Sequence, residues 1–152
     1  MATKVKQKRI IKKKNIAGLK TRSGFEDKAV DLLGKYKIEY EYEPKEKRLC
    51  YTVPSKNHKY TPDIVINDYY FELKGYIRDL STRMKYVYIK EQNPDITLVM
   101  VFQDPNLKIR KGSKTTYKEW FEAKGIKCLD FKQFDAVLRN YNKTGILNLH
   151  LL

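Results

Sequence analysis

No stretch of this 152-residue chain is apolar for long. None reaches the ~18 consecutive apolar residues of a membrane-spanning helix, so a helical membrane span is not expected. The first residues are basic and lack the apolar stretch of a secretory signal. Only two cysteines occur, Cys50 and Cys128, far apart and with no CxxC partner. They read as free thiols in a reducing compartment, and a cytoplasmic location is the expectation. No internal repeat and no long linker interrupts the chain, which has the length of one domain able to bury its own core. Acidic residues are missing altogether from residues 1–22, which carry nine Lys or Arg.

The net charge is +14 and hydrophobic residues make up 41%. That balance fits a soluble globular protein with a polyanionic partner. Nucleic acid is the first reading, and a solvating tail or a localisation signal is the alternative. Charge alone does not separate DNA from RNA, or an enzyme from a binder. The expected organisation is a basic tail over residues 1–22, one domain over 23–140 and a C-terminal tail over 141–152.

Ser23 followed by Glu26 is a capping-box pattern, and Phe25, Ala29, Leu32, Leu33 and Tyr36 recur at helical spacing. A helix ending near Lys37 is expected. Residues 38–42 and 49–53 are β-prone runs closed before Pro44 and Pro54. Ser55-Lys56-Asn57-His58 reads as a polar loop, and residues 60–66 and 69–74 as strands around an Asn67-Asp68 turn. A helix over residues 82–92, a buried strand over 96–102, a helix opened by Thr116 and Glu119, a short strand over 126–129 and a last helix over 132–139 complete the order. This predicts an α/β or α+β domain on a mixed central sheet.

The chemistry sits in the segment from Tyr60-Thr-Pro-Asp63 to Phe71-Glu-Leu-Lys74. A two-residue Asn67-Asp68 loop sets Ile64 opposite Phe71 and Asp63 opposite Glu72. Alternation then gives an apolar face of Ile64, Ile66, Tyr69, Phe71 and Leu73, and a second face of Asp63, Val65, Tyr70, Glu72 and Lys74. Opposed residues have Cβ atoms roughly 4.5–5.5 Å apart. Two facing carboxylates repel, and a divalent cation between them removes that cost. Hard oxygen ligands suit Mg²⁺, with Mn²⁺ as substitute. Such a metal activates water and polarises a phosphate, and Lys74 can offset charge in the transition state. Taken singly, an ExK is an ordinary surface pattern. The PD, the register and the lysine on the same face are together far more specific.

These residues form the PD…(D/E)xK pattern, which resembles the restriction-endonuclease-like fold. Arg22-Ser-Gly-Phe-Glu-Asp-Lys28, Val53 through Asp63, and Phe71-Glu-Leu-Lys-Gly75 narrow the match. So do Glu91-Gln-Asn-Pro94, residues 98–102, Lys111-Gly-Ser113 and Lys124-Gly-Ile-Lys127. Over residues 22–129 the chain is similar to the phage endonuclease I family, Holliday-junction resolving enzymes of the T-odd coliphage type. The resemblance implies Asp63 and Glu72 as metal ligands, Glu26 as a third catalytic carboxylate and metal ligand, and Lys74 as the catalytic lysine. It implies an intertwined, domain-swapped homodimer bridged by residues 49–53. Each site would then take Glu26 from one chain and Asp63, Glu72 and Lys74 from the other. The expected substrate is a four-way DNA junction, with no small-molecule cofactor and no membrane partner. From the residues alone Glu26 reads as a capping-box residue.

Candidate DNA contacts are Lys12, Lys13, Lys14, Lys20, Arg22, Lys56, Asn57 and His58. His58 can order its loop or reach the scissile phosphate. His150 carries no signal. Arg83 and Lys85 read first as a solvated helix face and second as phosphate contacts. Trp120 reads as core, and the 12 tyrosines as strand and helix faces rather than a base-stacking array. A flap or non-specific nuclease is the alternative within the class. A non-catalytic basic nucleic-acid-binding protein is the alternative outside it.

Overall fold

The computed structural model describes residues 17–53 and 56–149. Lys12, Lys13, Lys14 and His150 lie outside the described residues. The elements run α1 (Gly24–Lys35), β1 (Glu41–Tyr42), β2 (Leu49–Val53), β3 (Lys56–Tyr60), β4 (Ile64–Ile66), β5 (Tyr69–Lys74), α2 (Leu80–Gln92), β6 (Thr97–Phe102), α3 (Tyr117–Glu122), β7 (Lys127–Asp130) and α4 (Phe131–Thr144). A five-stranded sheet has the order β1-β4-β5-β6-β7, and β2 and β3 form a separate hairpin. β1, β4 and β5 pair antiparallel, whereas β5, β6 and β7 pair parallel. The expected mixed sheet flanked by helices is therefore present. Among the described residues no helix is long and apolar enough to cross a membrane.

Strand alternation assigns the two faces. Ile64, Ile66, Phe71, Leu73, Val99, Val101 and Leu129 point to one side, where α1 and α4 cover them with Phe25, Ala29, Leu33, Phe134, Val137 and Leu138. Phe71 and Phe134 meet there with ring centroids 5.2 Å apart. Leu98, Met100, Phe102 and Cys128 point to the other side, against Tyr86, Val87 and Ile89 of α2 and Tyr117 and Phe121 of α3. The crossovers β5-α2-β6 and β6-α3-β7 cover that second face, as parallel pairing requires. Both faces of the sheet are thus buried.

Local chemistry explains the helix starts. Thr116 and Glu119 form the expected capping box at α3. Asp130 and Gln133 form another at α4, and Asp79 caps α2, which begins two residues before the expected start. The turn Asn67-Asp68 joins β4 to β5 with Ile66↔Tyr69 and Ile64↔Phe71 in register. Asn67 takes a left-handed φ of 51° there, a conformation asparagine tolerates.

Two expectations are corrected. Residues 56–60 form strand β3, paired from Val53↔Lys56 to Leu49↔Tyr60, not a polar loop. Its four exposed polar residues conceal it, because alternation fails when only Tyr60 is buried. The last helix runs beyond its expected end at 139: α4 reaches Thr144, and Leu147 and Leu149 are buried in the first core. Near the start of the described residues, Thr21 is buried. Replacing Leu147 by Ala should cost about 2 kcal/mol or more in a urea or thermal melt. A solvated tail residue would leave the melt unchanged.

Candidate active site

β4 begins one residue after Asp63, because Pro62 has no N–H to give a ladder. Asp63 is not paired with Glu72 by backbone hydrogen bonds. Instead its side chain takes the place of a ladder bond: Oδ2 accepts the Leu73 N–H of β5 at 2.9 Å. Its carbonyl accepts the Glu43 N–H just after β1 at 3.1 Å. Asp63 is thereby fixed between both neighbouring strands and is 1% exposed.

Glu72 points to the face covered by α2 and is 3% exposed. This is the second face expected from the alternation, and α2 covers it. The Tyr86 hydroxyl donates to Glu72 Oε1 at 2.8 Å, and the Tyr60 hydroxyl at the end of β3 donates to Oε2. Lys74, two residues along β5, places Nζ 2.6 Å from Glu72 Oε1 and 3.9 Å from Asp63 Oδ2. One ammonium therefore reaches both buried carboxylates. From the other side Arg22 Nη2 lies 2.8 Å from Asp63 Oδ1 and 2.6 Å from Glu43 Oε1.

Glu26 stands in the first turn of α1, a favourable place for a carboxylate. The Ser23 hydroxyl caps its N–H, but the reciprocal bond goes one residue further back. Glu26 Oε2 accepts the Arg22 N–H at 3.0 Å and the Tyr42 hydroxyl at 2.5 Å, and Oε1 accepts the Ser23 hydroxyl at 2.8 Å. Arg22 so joins Glu26, through its backbone, to Asp63, through its guanidinium. A single chain brings Glu26, Asp63, Glu72 and Lys74 to one place.

Burial sets the electrostatics. It pushes the Asp63 carboxyl up to about 7, with repulsion from Glu72 adding, while Lys74 and the Leu73 N–H pull the other way. Arg22 does not reverse this, because its side chain is 64% exposed, solvated and shared with Glu43. Burial would raise Glu26 also, but the hydrogen bonds from Tyr42, Arg22 and Ser23 outweigh it and hold that carboxyl low. Burial and the charge of Glu72 raise the Tyr60 and Tyr86 hydroxyls well above their ordinary value, which keeps them donors. Burial would lower Lys74, but Glu72 and Asp63 hold it raised and charged.

A family model for phage endonuclease I matches residues 3–144. Endonuclease I of Escherichia phage T7 is 40% identical over 110 residues, covering 72% of each chain. Endodeoxyribonuclease 1 of Enterobacteria phage T3 is 39% identical over 110 residues, covering 72% of this chain and 70% of its own. The chain belongs to the phage endonuclease I family.

In this chain, the donor chemistry of Asp63 and Glu72 fits a divalent cation. Both are buried carboxylates with hard oxygens, and the position between them is one where positive charge lowers the energy. Arg22 and Lys74 supply that charge in the protein alone. Among the described residues no group of three or more His, Cys, Asp or Glu stands close enough to hold a metal. Ser23, Arg22 and Tyr42 engage both oxygens of Glu26.

The expected DNA contacts divide. Lys20, Lys56, Asn57 and His58 are exposed. His58 is on β3, stacked on Tyr51 with centroids 5.2 Å apart. Arg22 is exposed and paired with Asp63 and Glu43. Arg83 is buried, donates to the Ile109 carbonyl at 3.4 Å and lies over Trp120, so it is no solvated helix face. Trp120 itself is partly buried against the second core. The residues missed from sequence are Tyr42, Tyr60 and Tyr86. Only Tyr60 carried a signal, three residues before Asp63.

The raised Asp63 carboxyl fixes a pH dependence. Its folded value of about 7 lies above the ordinary 3.8, so folding favours its protonated form. The resulting stability is full below pH ~4 and is lost as pH rises through about 7. In chelator, Asp63→Asn should therefore melt higher than wild type at about pH 8, by on the order of 1–3 kcal/mol, with no gain near pH ~4. A variant that melts lower at about pH 8 would show Asp63 to be a stabilising ion-pair partner.

Proposed function

We propose that this chain is a Mg²⁺-dependent endodeoxyribonuclease that resolves four-way DNA junctions by paired phosphodiester hydrolysis as a homodimer. The observation that carries the proposal is the burial of Asp63 and Glu72 side by side, with the Lys74 ammonium reaching both. Membership of the phage endonuclease I family supports the endonuclease reading, and the name of the phage T3 relative supports DNA as substrate. The +14 charge suits a DNA partner.

Asp63 and Glu72 would hold Mg²⁺ or Mn²⁺, which when bound supplies Lewis acidity toward phosphate and an acidified water. Hydrolysis forms a bond from a water oxygen to phosphorus and breaks one ester P–O bond, and the leaving oxygen takes a proton. The chain's own part is positioning. Tyr60 and Tyr86 fix the rotamer of Glu72, and the Leu73 N–H fixes that of Asp63. Lys74, partly open to solvent, orients the attacking water and offsets charge growing on the phosphate oxygens. Arg22 adds positive charge on the side of Glu26. A branch has no fixed sequence, so recognition by shape and phosphate contacts suits it. If residues 49–53 bridge two chains, exchange keeps each Glu26–Arg22–Asp63 contact and supplies it from the partner. The host cytoplasm is the corresponding location.

Asp63→Asn and Glu72→Gln should abolish Mg²⁺-dependent nicking of a labelled four-way junction while binding persists. Either variant cutting at near wild-type rate sinks the metal site. Wild type should cut the junction in symmetric pairs and cut linear duplex of the same sequence far more slowly at equal salt. Equal rates would leave a general nuclease. Mixing Glu26→Gln with Asp63→Asn chains should restore cutting if sites are built across the dimer, and leave the mixture inactive if each chain builds its own.

A further inference from the structure

Lys85 stands on α2, one residue before Tyr86, and is half-buried. Its Nζ lies 4.4 Å from the centroid of the Tyr86 ring and 5.1 Å from that of Tyr60. These are the two rings whose hydroxyls hold Glu72. The position of Lys85 relative to the carboxylates is therefore set by the same two side chains that set Glu72. Among the described residues no oxygen lies within hydrogen-bond or ion-pair distance of this ammonium. Lys74 already occupies Glu72 as counter-ion, and Lys85 is left with ring faces alone.

A partly desolvated ammonium is costly unless an anion meets it. Burial does lower the Lys85 ammonium, and the nearby Lys74 lowers it further, while Glu72 and Asp63 draw it upward. Ring faces compensate only in part. Lys85 also borders an open cavity of about 610 Å³ between the β2–β3 hairpin and α2, with Tyr51, His58, Ser81 and Tyr88 on its walls. The ammonium thus faces the carboxylates on one side and an accessible cleft on the other. Were a strand's scissile phosphate to lie at Asp63 and Glu72, its continuation into that cleft would bring the phosphate of the next nucleotide toward Lys85.

We infer that Lys85 binds the phosphate adjoining the scissile one, gripping the cut strand at the mouth of the cleft between the β2–β3 hairpin and α2. The inference rests on the nuclease reading and extends it to a substrate contact no relative's name specifies. Lys85 touches DNA and takes no part in the bond exchange, so its effect falls on binding and KM more than on kcat. Point charge suffices for such a contact, and arginine can replace it.

The test uses the full chain and a four-way junction in EDTA, where binding is read without cutting. Lys85→Met should weaken binding roughly tenfold and make the slope of log affinity against log salt shallower by ~1, and Lys85→Arg should restore both. Junctions carrying one neutral methylphosphonate at each phosphate around the cut then locate the contact. At one position beside the cut, neutralisation should weaken wild type by roughly the same factor and leave Lys85→Met unaffected. If every methylphosphonate weakens Lys85→Met as much as wild type, Lys85 touches no phosphate and the inference is overturned. That comparison stays readable even if Lys85→Met melts lower, because Lys85→Arg and the neutral backbone carry it. Wild type that neither binds nor cuts the junction would overturn the nuclease reading, whereas wild type that cuts with additive losses overturns Lys85 alone.

Discussion

Asp63 and Glu72 share one dry place, and much of the surrounding structure exists to make that tolerable. A single carboxylate this buried is expensive to ionise, and a second beside it raises the cost. The protein meets the cost with four partners from four parts of the chain. Tyr60 comes from the hairpin, Tyr86 from α2, Lys74 from β5 and Arg22 from the segment before α1. None of these would be needed around two solvated strand residues. Replacement by apolar residues of similar size would serve stability more simply, so stability alone does not account for their convergence.

What the sequence made legible here was period and punctuation. Asn67-Asp68 between two β-prone runs specified a hairpin, and side-chain alternation followed from it without further information. The apolar face was therefore correct residue by residue: Ile64, Ile66, Phe71 and Leu73 all lie in the first core. The second face, with Val65, Tyr70, Glu72 and Lys74, looks amphipathic. Nothing in those letters says that α2 will cover it. The pattern set Lys74 on the same face as the carboxylates but did not show that it would pair with a buried Glu72. Long-range cover is a tertiary property, and single-strand periodicity is blind to it.

The same limit explains the tyrosines and β3. Lys56, Asn57, His58 and Lys59 are exposed and alternate with nothing, so their strand exists only through pairing with residues 49–53. Tyr86 sits on a helix face where an aromatic ordinarily means core, and it is core. Its ring packs against Phe121, with centroids 6.2 Å apart, while its hydroxyl reaches Glu72. A residue that serves both packing and the site shows only its packing half in sequence. Capping residues behave differently, since Thr116 with Glu119 is a local contact between near neighbours and was readable at once. Asp130 with Gln133 is equally local, and its helix was nonetheless expected to begin later.

The site's location follows from a change of strand direction. β4 and β5 pair antiparallel through a tight turn, so the start of β4 and the end of β5 lie at the same edge of the sheet. β5 and β6 pair parallel, so the chain must leave that edge through α2 and return at the far one. Asp63 arrives at the edge just before β4, and Glu72 and Lys74 arrive at it as β5 ends. The departing chain lays α2 over the face that carries them. Antiparallel pairing on one side of β5 brings the two carboxylates together, and parallel pairing on the other side obliges a helix to cover them. Ligand sites of open α/β sheets gather at the carboxyl ends of parallel strands. Here Asp63, supplied from the antiparallel side, makes that end of the sheet acidic.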